Sequence, residues 1–153
     1  MKEAMRKVAE FCDKNRFPRG LSLRDMPADY DFCMEETGKR LIELGQMFER
    51  SYSKRQEDIR LLRIHLLLEE LGELIQAMGD HDDTRAFDGL IDLLYVAIGA
   101  GVTFDYPLSE GFDEVAKSNM TKERSDPRLR DKGDNYIPPD LDKILKDHWF
   151  KKQ

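Results

Sequence analysis

The sequence predicts an all-α protein, a bundle of antiparallel helices with an irregular segment before the last one. Apolar residues recur at helical spacing in several long stretches, whereas no stretch shows the convincing alternation of a strand. A short turn at residues 79–83 separates the two most apolar stretches, which favours antiparallel packing of the helices on either side. With 153 residues, 40% of them hydrophobic, the chain is expected to form one globular domain spanning residues 1–153.

Each helix is predicted from its own signals. The expected spans are about 2–15, 29–52, 55–78 and 84–101, followed by a shorter helix capped by Ser109 and a last helix after Pro139. Asp83 or Thr84 is expected to cap the fourth helix. Residues 16–28 and 123–139 contain the Pro and Gly typical of loops, with a short hairpin around 131–134 as an alternative. The second helix is expected to contribute core residues: Phe32, Leu41, Leu44, Met47 and Phe48.

Composition narrows the classes of function. Charged residues make up 37% of the chain and the net charge is −6, which disfavours nucleic acid or an anionic membrane as the main partner. The first residues show no apolar signal segment, and the longest apolar run, 90–102, is short for a membrane span and contains Asp92. The two cysteines lack CxxC spacing, so a zinc site is not expected and a reduced, cytoplasmic setting is the simplest account.

Three glutamates lie close together in HLLLEELGELIQAMGD, residues 65–80. At about 100° per residue, Glu69, Glu70 and Glu73 share one side of the predicted helix, opposite its apolar stripe. Carboxylates one turn apart repel each other unless a cation lies between them. Because Mg²⁺ prefers oxygen ligands, the three are candidate metal ligands, with a solvated acidic face as the alternative.

The fourth helix has two aspartates in a stretch, 87–98, that is otherwise almost entirely apolar. That stretch predicts a helix buried on most sides, where an unpaired carboxylate is costly. Asp88 and Asp92 are four residues apart and share one face. All five carboxylates are therefore expected to meet across a Mg²⁺ cluster, with buried ion pairs to a cation such as Arg60 or Arg63 as the alternative.

A local positive patch follows in this acidic chain. It comprises Lys117, Lys122, Arg124, Arg128, Arg130 and Lys132. Cations beside a metal cluster suit a polyphosphate, because the metals bridge some oxygens and the cations neutralise others. Lys117, Asn119 and Lys122, near the end of a helix, are the candidate phosphate-binding residues. A solvated basic loop is the alternative for the later arginines.

Four segments in series resemble the MazG-like, phosphoribosyl-ATP pyrophosphohydrolase-like family of all-α nucleotide pyrophosphohydrolases. They are LLLEELGELIQA, FDGLIDLLYVAIGAGVTF, FDEVAKSNMTK and KGDNYIPPDL, and the likeness covers about residues 57–145. By position, Glu69, Glu70 and Glu73 match the first acidic motif and Asp92 matches the second. The common second motif has a Glu where this chain has Gly89, and Asp88, on the same face as Asp92, is expected to substitute for it.

The resemblance implies Mg²⁺-dependent hydrolysis of a nucleoside triphosphate to a monophosphate and pyrophosphate, with Mn²⁺ able to substitute. It also implies a homodimer or homotetramer. Lys117, Asn119 and Lys122 match its phosphate-binding segment, and Tyr136 is expected to close over the nucleotide. Glu69 or Glu70 is expected to be the general base.

The substrate and two rival functions stay open at this stage. Members of the family, including phage-encoded ones, cleanse or remodel deoxynucleotide pools, and a purine nucleotide such as dGTP or GTP is the expected substrate. One rival is a hydrolase of phosphoribosyl-ATP or of a nucleoside diphosphate that uses the same residues. The other is a non-enzymatic helical interaction or regulatory protein whose acidic face meets a basic partner.

Overall fold

A computed structural model describes residues 1–54, 58–123 and 132–151. In those residues the chain forms six α-helices and no strand, which confirms the all-α prediction. The helices are α1 (Lys2–Lys14), α2 (Asp31–Lys54), α3 (Ile59–Gly79), α4 (Asp83–Thr103), α5 (Leu108–Met120) and α6 (Leu141–Phe150). The hairpin alternative includes Asp131, which lies outside the described residues.

Two compact units emerge from the tertiary contacts, and each is described by itself. One comprises Leu21–Phe104 and contains α2, α3 and α4. The other comprises Met1–Gly20 with Asp105–Gln153 and contains α1, α5 and α6. The expectation of a single domain over residues 1–153 stays a prediction.

Helices α2 and α3 approach each other closely at three glycines. A Cβ placed on Gly38 would lie 2.7 Å from the carbonyl oxygen of Gly72, and one on Gly72 would lie 2.8 Å from that of Gly38. Nearer the other end of the crossing, a Cβ on Gly45 would lie 3.2 Å from the carbonyl oxygen of His65. Residue numbers fall on α3 as they rise on α2, so the two helices are antiparallel. Only glycine lets two helix backbones come this close.

The buried core of this unit lies between α3 and α4. Leu74 and Ala77 of α3 pack with Ala86 of α4, and Leu23 and Leu93 cover them. A Cβ on Gly89 would lie 3.2 Å from the Cα of Leu74, so the backbones are close here too. The contacts run in opposite directions along the two helices, which confirms the antiparallel pairing expected from the short turn.

The turn between α3 and α4 is held by side chains. His81 has a positive φ of 54°, and its two ring nitrogens lie 2.6 Å from the carbonyl oxygen of Leu23 and 2.9 Å from a carboxylate oxygen of Asp31. The Asp83 carboxylate accepts hydrogen bonds from the backbone N–H of Leu23 and the hydroxyl of Ser22. Both contacts fix the 3-10 turn at Leu23–Asp25 against the start of α4.

Two cap predictions are wrong. Asp82, and neither Asp83 nor Thr84, caps α4, because its carboxylate accepts from the backbone N–H groups of Thr84 and Arg85. Asp83 is instead bound to the 3-10 turn. Ser109 does not cap α5, which begins at Leu108 after Pro107 and has no side-chain cap.

Several predicted core positions of α2 face solvent. Phe32 is 74% exposed, Met47 57% and Leu44 41%, while Leu41 and Phe48 are half-buried. The residues of α2 that are buried are Gly38 and Gly45. Helical spacing identified the helix but misidentified its buried side, because the α3-facing stripe of α2 includes small residues that a hydrophobicity pattern does not detect.

Helix α4 is the most exposed apolar element of its unit. Seven large apolar side chains are 37% exposed or more: Phe87, Leu90, Ile91, Leu94, Tyr95, Ile98 and Val102. The prediction that α4 is buried on most sides is therefore wrong for the described chain, since within its unit α4 packs chiefly against α3. By length and composition alone, α4 is also a helix that could cross a membrane.

The other unit pairs α1 with α5 and α5 with α6. Lys7 of α1 binds Asp113 of α5 at 2.7 Å, and Lys14, at the end of α1, binds the carbonyl oxygen of Met120, at the end of α5. Residue numbers rise together on the two helices, so α1 and α5 run parallel. The segment before α6 is tied to the end of α5 by Ser118, whose hydroxyl donates to the carbonyl oxygen of Ile137 at 2.6 Å.

Candidate functional site

The three glutamates of α3 lie on the side of the helix between its two neighbours. His65 lies against α2 and Leu74 lies against α4. At about 100° per residue, Glu69, Glu73 and Glu70 follow one another around the arc between these two positions. Glu69 is nearest the α2 side and Glu70 is nearest the α4 side. The carboxylates therefore form an acidic row along the α3 surface.

The two aspartates of α4 lie beside its contact with α3. Gly89 faces Leu74, and Asp92 and Asp88 follow at roughly 60° and 100° around the helix from Gly89. Both aspartates are exposed, as is Glu73, whereas Glu69 and Glu70 are half-buried. The sequence predicted that these aspartates lie on a buried helix and therefore need a ligand, but both are exposed, so burial does not require one. What distinguishes them is their position next to the glutamates.

The other four carboxylates all affect the pKa of Glu70. Partial burial raises the pKa of Glu70 first, and the negative charges of Asp92, Glu73, Glu69 and Asp88 raise it further. Each of these neighbours destabilises the ionised form of Glu70. The structure therefore brings the five predicted residues of α3 and α4 into one electrostatic cluster, called the acidic cluster below.

The acidic cluster contains the ligand type that a hard cation prefers, but its side chains are not arranged around a single point. Among residues 1–54, 58–123 and 132–151, no three Asp, Glu, His or Cys side chains converge closely enough to ligate one ion. All five donors are carboxylate oxygens, the type that Mg²⁺ and Mn²⁺ prefer. The donor set thus fits a divalent metal, and the predicted Mg²⁺ cluster stays a prediction.

Ion pairing with protein cations does not account for the cluster within the described part of the chain. No Lys or Arg there lies within 4.0 Å of the carboxylates of Glu70, Glu73, Asp88 or Asp92. Arg60 instead binds Asp58, 2.7 Å away. The alternative of buried ion pairs therefore finds no support in these residues.

Glu69 has a neighbour that the sequence analysis missed. Nε2 of His65 lies 3.5 Å from Oε2 of Glu69, one helical turn away. His65 itself is buried, with a relative exposure of 7%. The signal was present in the sequence as a histidine four residues before the first glutamate of the row, on a helix where such pairs meet.

The predicted phosphate-binding residues all belong to the other unit. Lys117 is exposed and its ammonium lies 3.7 Å from a carboxylate oxygen of Glu114. Asn119 is half-buried near the end of α5, and its backbone carbonyl oxygen accepts a hydrogen bond from the backbone N–H of Lys122. Their role in phosphate binding stays a prediction. Arg124, Arg128 and Arg130 lie outside the described residues.

Lys122 and Tyr136 do meet. The Lys122 ammonium lies 5.8 Å from the centre of the Tyr136 ring and 5.9 Å from that of Phe11, and the Lys132 ammonium lies 4.5 Å from the Tyr136 ring. A hydrogen bond with Ser118 lowers the pKa of the Tyr136 hydroxyl, and the two ammonium groups lower it further. This part of the predicted patch is thus a compact group of cations on aromatic rings.

Comparison with known proteins identifies the family. The family model described as phosphoribosyl-ATP pyrophosphohydrolase matches residues 40–119, just over half of the chain. The chain belongs to the phosphoribosyl-ATP pyrophosphohydrolase family. No curated protein matches it significantly, and neither does any solved structure.

The phosphoribosyl-ATP pyrophosphohydrolase match begins within α2 and ends near the end of α5, so it starts and stops earlier than the likeness read from the motifs. It includes the whole acidic cluster together with Lys117 and Asn119. Lys122 and Tyr136 lie outside it. Membership in this family confirms the resemblance and supports a nucleotide pyrophosphohydrolase over a non-enzymatic interaction protein.

Proposed function

We propose that the protein hydrolyses a nucleoside triphosphate to the monophosphate and pyrophosphate in a Mg²⁺-dependent reaction at the acidic cluster. The observation that carries the proposal is the arrangement of the acidic cluster, with three glutamates along one side of α3 and two aspartates beside the contact of α4 with α3. In agreement with it, partial burial and the four surrounding carboxylates raise the pKa of Glu70. Such mutual repulsion reduces stability unless a ligand relieves it, and a hard cation does so.

Four residues would hold the metal: Glu70, Glu73, Asp88 and Asp92. A bound divalent ion would supply Lewis-acid chemistry, polarising phosphoryl oxygens and lowering the pKa of a water. Mn²⁺ is expected to replace Mg²⁺, since it accepts the same oxygen ligands. Asp88 fills the role that the family's common motif gives to a Glu one position later.

Glu69 is the general base in this proposal. It lies at the α2 edge of the acidic cluster, farthest around α3 from the contact with α4, and Nε2 of His65 lies 3.5 Å from its Oε2. Glu69 would accept the proton of the attacking water as the water forms its bond to phosphorus. The phosphoanhydride bond then breaks and pyrophosphate leaves.

The substrate is proposed at two levels. A purine triphosphate such as dGTP or GTP is the first candidate, in a reaction that remodels or cleanses the nucleotide pool. Phosphoribosyl-ATP is the second candidate, and it is favoured by the description of the matched family. Both reactions break a phosphoanhydride bond and release pyrophosphate.

The test is a panel of NTPs, dNTPs and phosphoribosyl-ATP with Mg²⁺, with phosphate measured before and after added inorganic pyrophosphatase. Signal that requires the pyrophosphatase identifies pyrophosphate as the product. Glu73→Gln and Asp92→Asn are expected to abolish turnover, and Glu49→Gln, an exposed carboxylate of α2 outside the cluster, is expected to keep it. Full activity in both cluster variants would refute the assignment.

We further propose that a second copy of the chain covers the exposed apolar face of α4, giving a homodimer or a homotetramer. Apolar surface of this extent on one helix is unusual for an isolated soluble chain. A membrane is the less favourable cover, because Asp88 and Asp92 would each cost roughly 2.5–3.5 kcal/mol in the middle of a bilayer. A cytoplasmic location and the lack of a nucleic-acid partner belong to the same proposal.

A further inference from the structure

His65 is a buried polar residue whose burial the fold alone does not explain. The other buried polar residues of the described chain, Asn15 and Ser118, each donate a side-chain hydrogen bond to a backbone carbonyl, at 2.9 and 2.6 Å. Nδ1 of His65 is buried without a hydrogen-bond partner among the described residues. The described residues contain two further atoms of this kind, Arg63 Nε and His148 Nε2, and each such atom calls for an explanation beyond packing.

The ring of His65 is fixed on one side and faces Glu69 on the other. A Cβ on Gly45 would lie 3.5 Å from Nδ1, so the backbone of α2 closes over this edge of the ring. The opposite nitrogen, Nε2, lies 3.5 Å from Oε2 of Glu69. That separation exceeds a formed hydrogen bond, but catalytic hydrogen bonds are often long before substrate binds.

We infer that His65 is a positioning residue for Glu69. The inference rests on the proposed function, in which Glu69 takes the proton of the attacking water. With Nδ1 against α2, the Nε2–H group is the donor available to Glu69. Because the ring is packed against α2, its Nε2–H group is held in place and limits the orientations of the half-buried Glu69 carboxylate. A base oriented by a third group is a recurrent arrangement in enzymes.

Replacement of His65 tests the role. His65→Leu removes the donor while keeping an apolar group of similar size, and it is expected to lower kcat by about 10- to 100-fold, the usual effect of losing a group that orients a catalytic side chain. KM and the Mn²⁺ affinity, measured by calorimetry, are expected to change less than about 2-fold, since ground-state binding is not involved. His65→Gln, which restores an N–H donor, is expected to recover part of the loss.

A matched control separates positioning from stability. Leu68 packs on the same side of α3, where a Cβ on Gly45 would lie 3.4 Å from its Cβ. Leu68→Ala is expected to destabilise the protein while leaving kcat near the wild-type value under conditions where the variant is folded. A loss of kcat in Leu68→Ala as large as in His65→Leu would overturn the inference, because it would show a general response to weakened packing.

A second readout does not depend on turnover. The chain has three histidines, so ¹⁵N-histidine labelling gives few ring signals, and the His65 signal is the one lost in His65→Leu. Glu69→Gln is expected to shift the His65 Nε2 signal, whereas Glu49→Gln is not. An unchanged signal in Glu69→Gln, or full kcat in His65→Leu while Glu69→Gln is inactive, overturns the inference and leaves the proposed function standing. A wild-type protein that hydrolyses no substrate of the panel refutes both.

Discussion

The close crossing of α2 and α3 predicts a large effect from a single methyl group. In Gly72→Ala the new Cβ would lie 2.7 Å from Cγ1 of Ile42 and 2.8 Å from the carbonyl oxygen of Gly38. Ordinary contacts of a Cβ begin at 3.4 Å. The two helices must therefore separate by about 0.6 Å or distort, because Gly38 presents a backbone atom that cannot rotate away.

Two opposing terms set the expected magnitude. Overpacking of a close contact costs roughly 1–3 kcal/mol, and Gly→Ala within a helix returns up to about 1 kcal/mol of helix propensity. Since the clash involves backbone, the overpacking term should lie in the upper part of its range. We expect Gly72→Ala to lower the free energy of unfolding by about 1–2 kcal/mol, or Tm by roughly 2–8 °C for a chain of this size.

Urea unfolding followed by circular dichroism measures the loss, and hydrogen exchange of the α2 and α3 amides locates it. Gly111→Ala is the control, since Gly111 is a helical glycine whose added Cβ would meet, among the residues that the structure describes, only Cδ2 of Leu141, at 4.0 Å. That variant is expected to gain up to about 1 kcal/mol. Gly72→Ala at or above wild-type stability would refute the close helix crossing, and so would equal effects of the two variants.

Three further predictions concern charge and assembly. The Leu23 carbonyl raises the pKa of His81 above its ordinary 6.5, and the Asp31 carboxylate raises it by a smaller amount. The protonated His81 ring therefore stabilises the fold fully below about pH 6.5, and this stabilisation is lost as pH rises through the raised pKa. Tm should fall over that window in the wild type and stay flatter in His81→Gln. Glu70→Gln should raise Tm without metal at neutral pH, because it removes repulsion within the acidic cluster, and should lose this advantage in Mg²⁺; a lower Tm without metal would contradict the repulsion. If the chain assembles through α4 as proposed, Phe87→Lys, at a side chain 66% exposed, should lower the mass measured by size-exclusion chromatography with light scattering to that of a monomer. A mass equal to that of a wild-type oligomer would exclude this face.

Helical periodicity was sufficient to locate the helices but not to orient or cap them. The end of α3 near Gly79 was predicted, but the residue that adopts the left-handed conformation after the helix is His81, with a φ of 54°, and not the glycine. The short turn between α3 and α4 was sufficient to predict their antiparallel pairing. The cap of α4 could not be predicted in the same way. Asp82 and Asp83 are both good caps, and the choice between them depends on the 3-10 turn at Leu23–Asp25, which is distant in sequence and occupies Asp83.

The candidate site was predictable to the extent that it depends on local spacing. Glu69, Glu70 and Glu73 share a side because a helix has about 3.6 residues per turn, and Asp88 and Asp92 join them because two consecutive helices pack antiparallel. The contact of His65 with Glu69 follows the same spacing, but spacing alone does not show that the histidine is buried against α2. Burial of α4 was mispredicted for a different reason: the number of apolar residues in a helix does not show how many neighbouring helices pack against it, and within its unit α4 packs chiefly against α3.

The two aspartates of α4 and most of its exposed apolar side chains lie on different sides of the helix. Around α4, Gly89 faces α3, Asp92 and Asp88 follow on one side, and Leu90, Leu94 and Phe87 follow on the other. The centres of the acidic and apolar sides lie more than roughly 100° apart. Tyr95 lies only about 20° from Asp88, so a second copy that covers Leu90, Leu94 and Phe87 can leave the carboxylates uncovered only if its contact stops short of Tyr95. In that arrangement, Phe87→Lys should weaken assembly while Mn²⁺ binding at the acidic cluster persists. Coupled loss of both would mean instead that the site is completed by the second copy.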